Sequence, residues 1–379
     1  MLGSGHDRFF RAAVKNQYPV KTLKVMIATS QIKNDYKQMK KITRFLLLIS
    51  LWTMALTYAP EQVNARQNAR PKTIIVAYVT SHGSTLPDPQ YLTHINYAFG
   101  HVNSSFDGIR IENENRLRQL SGLKLKHPEL KVLISIGGWG SGRFSEMAAT
   151  ESSREKFAGD CLRVVNEFKL DGIDIDWEYP TSSEAKISSS AEDTRNYTLL
   201  MKAIRKKIGK KKLLTLASVA SAKYIDFRGI EPVVDFVNIM TYDIARPPSH
   251  HAGLYRSKYT SGVTVDEAVT AHVNAGMPLN KLVLGMPFYG HGVKGIPDFI
   301  DYRDIVKLSG FKKQWDETAM APFLENNEGE FVCTYEDPKS IAIKCNYILN
   351  RGMLGAMYWE YNCDTDDGVL RKAVFNMGR

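Results

Sequence analysis

The chain has 379 residues, 44% hydrophobic and 24% charged, a composition typical of globular proteins and long enough for one large α/β barrel or two ordinary domains. The formal net charge is +10, but residues 1–65 contribute +7 of it, from 10 Lys/Arg against 3 Asp/Glu, which leaves +3 for residues 66–379. Because the positive charge belongs mainly to the amino-terminal segment, nucleic acid is excluded as an expected partner.

Residues 39–65 have the order of features found in a secretory signal peptide. Met39 is followed by basic residues and then by the apolar run 45–56, and a small-residue cleavage site ends at Ala65. The apolar run is shorter than a membrane span requires, so we expect a secreted protein with no stable membrane insertion after cleavage; an uncleaved anchor is the alternative. Residues 1–38 show no usable periodicity and are either an extension or lie upstream of the true start.

From residue 71 onward, apolar runs alternate with amphipathic helical patterns. Continuous apolar runs are typical of parallel strands buried on both faces, and the eightfold alternation predicts an α/β fold, a (β/α)8 TIM barrel over residues 71–379. An open doubly wound sheet is the runner-up, but no GxGxxG motif opens its first helix. The predicted strands are 74–79, 94–100, 131–137, 171–177, 213–219, 235–242, 281–288 and 353–359, and the predicted helices are 152–168, 193–208, 264–275 and 337–350.

The segment 291–336, between the seventh and eighth strands, is the longest departure from this repeat and predicts a short insertion on the catalytic face of the barrel. No metal site or cofactor is expected, because the adjacent pair His250-His251 has no further ligands at a metal-type spacing. The cysteines show no CxxC spacing, and a secreted protein could oxidise a pair of them. They are Cys161, Cys333, Cys345 and Cys363.

The fourth predicted strand carries an unusual ladder of acids. Side chains alternate along a strand, so Asp174, Asp176 and Glu178 share one face of it, while Asp171 has the opposite parity and a structural role is expected for it. Buried carboxylates that lie close together repel one another and are costly, which favours a catalytic role; a metal site is the alternative and lacks further ligands. Glu178 lies at the carboxyl end of the strand, where barrel active sites open, and can keep its proton near neutral pH as a general acid.

This stretch resembles the DxxDxDxE signature of the family-18 glycoside hydrolases, the chitinase family, and the resemblance extends over about the whole of residues 71–379. The family pattern is matched at Asp171, Asp174, Asp176 and Glu178. Further segments are similar to family motifs in the same order: 97–99 to YAF, 135–138 to SxGG, 240–243 to MxYD, 285–290 to GxPFYG and 355–360 to GxMxWE.

The resemblance implies retaining, substrate-assisted hydrolysis of β-1,4 linkages between N-acetylglucosamine units, without the usual carboxylate nucleophile. Glu178 would protonate the glycosidic oxygen and later activate water. Asp176 would orient the 2-acetamido group, which is itself the nucleophile, and Tyr242 would hold that group. Asp174 would share a proton with Asp176, helped by Ser135 and Tyr78.

The resemblance also implies substrate-binding residues, with Trp359 as an indole floor beneath the reacting sugar. In relatives, the position of His291 is often Arg, so sugar contacts there are in doubt. The short insertion predicts a shallow groove and endo-type cutting of chitin, and a monomer is expected. The further sugar contacts that the resemblance implies are Phe99, Gly138, Trp139, Met240, Asp243 and Tyr289.

Two other functions remain open at this point. The first is the same chemistry on another N-acetylglucosamine glycan, such as an N-glycan core or peptidoglycan. The second is a non-catalytic chitin-binding lectin on the same barrel, which the presence of Glu178 disfavours.

Overall fold

The structure is a computed structural model that describes residues 25, 29, 31–41, 73–83 and 85–377. The chain divides into two compact units, residues 1–70 and residues 71–379. In the first unit, residues 31–41 form an exposed helix, and the expected signal peptide lies outside the described residues apart from residues 39–41. Among the helices that are described, none is long and apolar enough to cross a membrane.

The second unit contains a closed barrel, as the sequence predicts. All eight predicted strands are present within about two residues of their predicted bounds and pair in parallel, and the first barrel strand pairs with both the second and the last, which closes the barrel. The strands of the unit are β1 (Ile74–Thr80), β2 (His94–Val102), β3 (Ile109–Ile111), β4 (Lys131–Gly137), β5 (Gly172–Asp176), β6 (Leu213–Val219), β7 (Phe236–Met240), β8 (Leu282–Pro287), β9 (Tyr289–Gly292), β10 (Ile300–Asp301), β11 (Lys312–Asp316), β12 (Ala321–Glu325), β13 (Phe331–Thr334) and β14 (Gly355–Trp359).

The barrel order is β1-β2-β4-β5-β6-β7-β8-β14, and β3 adds antiparallel to β2. The register aligns Ser135 of β4 with Asp174 of β5, and Gly137 with Asp176, so the carboxyl ends of these strands meet at the same rim. In the outer layer, Trp177 is buried and stacks on Phe144 with ring centroids 5.3 Å apart. The parity predicted for the fourth barrel strand is therefore observed.

The helices begin with the capping chemistry that their sequences supply. Thr264 and Glu267 form a reciprocal capping box, and Asp337 caps a helix whose first residue is Pro338. The helices are α1 (Glu114–Gly122), α2 (Phe144–Ala149), α3 (Glu151–Glu167), α4 (Asp193–Ile208), α5 (Phe227–Ile230), α6 (Val265–Asn274), α7 (Tyr302–Ile305), α8 (Pro338–Arg351) and α9 (Val369–Phe375), with short 3-10 turns at 89–91, 123–125, 279–281 and 361–363.

The segment between β8 and β14 forms its own antiparallel sheet of five strands in the order β10-β9-β13-β12-β11. The segment that forms this sheet runs from Tyr289 to Thr334 and also contains the short helix α7. Cysteines lie in both parts of the unit, and all four are buried free thiols. Since β9 follows β8 directly, the insertion starts at the rim of the barrel where the acid ladder ends.

Candidate active site

The acid ladder occupies the centre of the barrel and its carboxyl-terminal rim. Asp174 and Asp176 belong to β5, and Glu178 follows two residues after the strand ends. Asp171, at the other end of the strand, accepts hydrogen bonds from Lys124 Nζ at 2.7 Å and from the backbone N–H of Val132 at 2.8 Å. The first acid of the motif therefore anchors the foot of β5, as its parity predicts.

Asp174 is fully buried and fully engaged by donors. Its Oδ2 accepts from the hydroxyls of Tyr78 and Ser135, each at 2.8 Å. Its Oδ1 accepts from Thr215 Oγ1 at 2.5 Å and from Asn238 Nδ2 at 3.3 Å. Burial raises the pKa of Asp174, and these hydrogen bonds oppose the rise. Thr215 and Asn238 were not predicted; both are polar residues at inward positions of otherwise apolar strands.

Asp176 is buried one step nearer the rim, and its Oδ1 has no hydrogen-bond partner in the part of the chain that the structure describes. Burial raises its pKa well above the ordinary value, and the charges of Glu178 and Asp174 raise it further. A buried carboxyl oxygen without a donor is costly, and in an active site it is available to a group on the substrate.

Two glycines allow β4 to press against this part of β5. Gly137 has φ +132°, and a Cβ added there would lie 1.9 Å from the carbonyl oxygen of Asp176. Gly138 donates its N–H to the same carbonyl at 2.9 Å, and a Cβ on it would lie 2.6 Å from the ring of Phe99. The glycine pair thus permits the close backbone approach that positions Asp176.

Glu178 is partly exposed at the rim. Burial raises its pKa to about 7; the Tyr179 hydroxyl opposes this rise, and the negative charge of Asp243 adds to it. At neutral pH the group therefore exists in both the protonated and the ionised form, which is the condition for giving and taking a proton in one catalytic cycle.

Aromatic rings form the floor beside the acids. Trp359, at the end of β14, stacks on Phe99 with centroids 5.5 Å apart and rings 18° from parallel, and it packs against Tyr78 at 5.7 Å. Trp359 stays partly exposed, so one indole surface remains available. Flat sugar faces pack well against such rings.

The rim beyond β7 contributes Met240, Tyr242 and Asp243. Met240 is partly exposed, and Tyr242 is buried with its hydroxyl 3.8 Å from Met357 Sδ. Asp243 Oδ1 accepts from the hydroxyl of Tyr289 at 2.7 Å and contacts His291 Nε2 at 2.6 Å. Met240, Tyr242 and Asp243 follow one another along the same rim, as the motif order predicts.

His251 also belongs to this group, a position that no pattern in the sequence predicted. Its Nδ1 lies 3.9 Å from Asp243 Oδ1, and its ring packs edge-on against that of His291 with centroids 4.8 Å apart. Burial acts to raise the pKa of Asp243, but His251, His291 and Tyr289 hold it well below its usual range. Asp243 is therefore a carboxylate at neutral pH.

A cavity of about 440 Å³ lies along the loop after β4, and Gly138 in its lining donates its N–H to the backbone carbonyl of Asp176. Phe99 and Gly138 line its inner end, and Trp139 stands at its edge with 62% of its surface exposed. Trp139 meets Tyr179 edge-on at 6.3 Å, and Tyr179 stacks on Tyr224 at 5.3 Å. Trp139 is the exposed ring of this group, whereas Tyr179 and Tyr224 are half-buried and were not predicted.

The sequence profile of Glycosyl hydrolases family 18 matches residues 74–364, which include the whole acid ladder and Trp359. The chain belongs to this family. The resemblance drawn from the DxxDxDxE pattern is thus confirmed, together with the barrel.

Relatives within family 18 include chitinase A1 of Niallia circulans, which is 31% identical to this chain. The alignment covers 89% of this chain and 63% of the relative, so the chain spans less than two thirds of that protein's length. Chitotriosidase-1 of Mus musculus is 29% identical, covering 74% of this chain and 69% of the relative. Among solved structures, a family-18 N-acetylglucosaminidase from Paenibacillus barengoltzii is 34% identical with a TM-score of 0.73, covering 80% of this chain and 99% of that one. A chitinase from Rhizomucor miehei is 26% identical with a TM-score of 0.72, covering 81% and 100%.

Proposed function

We propose that this family-18 member is a secreted chitinase that cleaves β-1,4 linkages between N-acetylglucosamine units with retention of configuration. The observation that carries the proposal is the ladder itself: Asp174 saturated with donors, Asp176 buried with a free oxygen, and Glu178 poised at a pKa of about 7. Chitinases among the relatives of this chain support chitin as the substrate.

In the proposed reaction, Glu178 gives its proton to the glycosidic oxygen as the bond to the anomeric carbon breaks. The carbonyl oxygen of the 2-acetamido group attacks that carbon and forms an oxazolinium ring. The ionised Glu178 then takes a proton from water, which opens the ring and restores the free sugar. The one carboxyl thus acts as acid and then as base, which a pKa near 7 suits.

Asp176 is proposed to accept the N–H of the acetamido group through its unpartnered oxygen and to balance the positive charge of the ring intermediate. Asp174 is proposed to share a proton with Asp176, and its four donors position it within the barrel. The Tyr242 hydroxyl is proposed to hold the acetamido oxygen. The other proposed sugar contacts are Met240, Asp243, Tyr289, Phe99, Gly138 and Trp139.

Secretion rests on the basic, apolar and small-residue order of residues 39–65. Amino-terminal sequencing of the protein recovered from the medium of an expressing host is expected to start near Arg66. A mature protein that starts before residue 39 would refute the proposed signal.

A second candidate is an N-acetylglucosaminidase that releases single sugars, because a solved N-acetylglucosaminidase is 34% identical to this chain over 80% of this chain and 99% of that one. The short insertion between β8 and β14 and the exposed ring of Trp139 favour endo-type cutting instead. With reducing-end-labelled chitohexaose, we expect early products of two, three and four sugars together in chromatography. Release of single sugars with pentamer would establish the second candidate, and disaccharide alone released processively would contradict the endo proposal.

A further inference from the structure

Three possible metal ligands converge beside the acid ladder. Asp243 follows β7, His251 lies in the loop before α6, and His291 belongs to β9 of the insertion. One ligand atom from each lies within 4.8 Å of the other two, with Asp243 Oδ1 2.6 Å from His291 Nε2 and 3.9 Å from His251 Nδ1. In a tetrahedral zinc site with bonds near 2.0–2.1 Å, donor atoms are about 3.3 Å apart, so shifts below about 1 Å would complete the site.

The backbone fixes the tautomer of His291 in a way that suits a metal ligand. Its Nδ1 lies 2.5 Å from the carbonyl oxygen of Asp298, which can only accept a hydrogen bond, so Nδ1 carries a proton. Its Nε2, 2.6 Å from Asp243 Oδ1, is then the ring nitrogen that faces the carboxylate and can reach a metal ion. A carbonyl bonded to the far nitrogen is the usual support of a metal-binding histidine.

His251 is the second, independent sign of a ligand. The side chain is fully buried, and neither ring nitrogen has a hydrogen-bond partner among the described residues. The N–H of a buried imidazole normally donates a hydrogen bond, and the N–H of this ring has no acceptor among the described residues. Its Nδ1 faces Asp243, and its ring meets that of His291.

We propose that Asp243, His251 and His291 form a binding site for a divalent transition-metal ion, with Zn²⁺ as the best fit. Two imidazoles and one carboxylate are a donor set that zinc prefers, and such three-ligand sites keep an open position. Asp243 is half-exposed, so an ion has a path from solvent. A bound ion would occupy the carboxylate that Tyr289 now contacts and so would compete with sugar at this rim.

The site is tested by equilibrium dialysis of the full chain against Zn²⁺ after chelator treatment, without substrate, so the result is independent of the proposed function. We expect one saturable Zn²⁺ per chain, and at least about tenfold weaker binding in His251→Gln and in His291→Gln. Co²⁺ in place of Zn²⁺ should give a visible ligand-field spectrum that both variants lose.

His127→Gln is the matched control, because His127 is an exposed histidine on the same barrel. It should bind Zn²⁺ like the parent protein. A melting temperature that Zn²⁺ raises in the parent and in His127→Gln, but not in the two site variants, checks that the variants are folded and simply lack the site. Absence of saturable binding in the parent, or equal binding in all four proteins, would overturn the proposal.

Discussion

Glu178→Gln is expected to lower kcat/KM on chitooligosaccharides at least about a hundredfold, because the amide cannot give a proton to the leaving oxygen or take one from water. The substitution keeps the size and shape of the side chain. Steady-state hydrolysis of chitohexaose, followed by chromatography, measures the loss. Turnover equal to that of the parent protein would reject Glu178 as the acid.

Two substrates with different leaving groups distinguish the loss of the general acid from damage to the binding site. A phenolic leaving group departs with little help from a proton, whereas a sugar alcohol requires one. Glu178→Gln should therefore slow cleavage of the glycosidic bond less in an aryl chitobioside than in chitohexaose. An equal loss on both substrates would mean that Glu178 acts on binding or positioning and not as the proton donor.

The pH profile of the unaltered protein reports on the same carboxyl. The pKa of Glu178 is raised to about 7, and the active form is protonated, so kcat/KM should hold below pH 7 and fall as pH rises through it. The raised pKa also means that ionising Glu178 costs stability, a cost that grows as pH rises from the unfolded-state pKa through about 7. At pH 8, Glu178→Gln should therefore melt at or above the temperature of the parent protein.

The barrel could be predicted because its strands are continuous apolar runs of ordinary length. The five strands of the insertion, such as β10 (Ile300–Asp301) and β11 (Lys312–Asp316), could not be predicted in this way. They are two to five residues long, and β11 is partly exposed and polar, so neither a two-residue period nor an apolar run marks it. Their pairing depends on contacts between segments distant in the sequence, such as β9 with β13, which local patterns do not encode.

The acid ladder could be predicted because its three residues are close in sequence and period two decides which face they share. Thr215 and Asn238 could also have been found from the sequence, because they are polar side chains at inward positions of apolar strands. No pattern in the sequence predicted the contact between Asp243 and His291. The two residues are 48 positions apart, and β9 brings them together only by returning over the rim.

Asp176→Asn is expected to reduce kcat/KM at least about a hundredfold on chitohexaose and equally on an aryl chitobioside. The carboxyl oxygen without a partner would be replaced in part by an NH₂ group, which cannot accept the N–H of the acetamido group and cannot balance a positive ring. Because this contribution acts on the sugar and not on the leaving group, a better leaving group should not rescue it. Rescue by the aryl substrate would contradict the role given to Asp176.

The same motif supplies the control. Asp171→Asn makes the same chemical change five residues before Asp176, where the carboxylate binds Lys124 and the N–H of Val132 and is given no contact with the sugar. It should lower the free energy of unfolding by about 1–3 kcal/mol, the scale of a charged hydrogen bond, while kcat per folded molecule changes little. If Asp171→Asn reduced turnover of folded protein as strongly as Asp176→Asn, the loss in both would come from distortion of β5, and the acetamido contact would have to be abandoned.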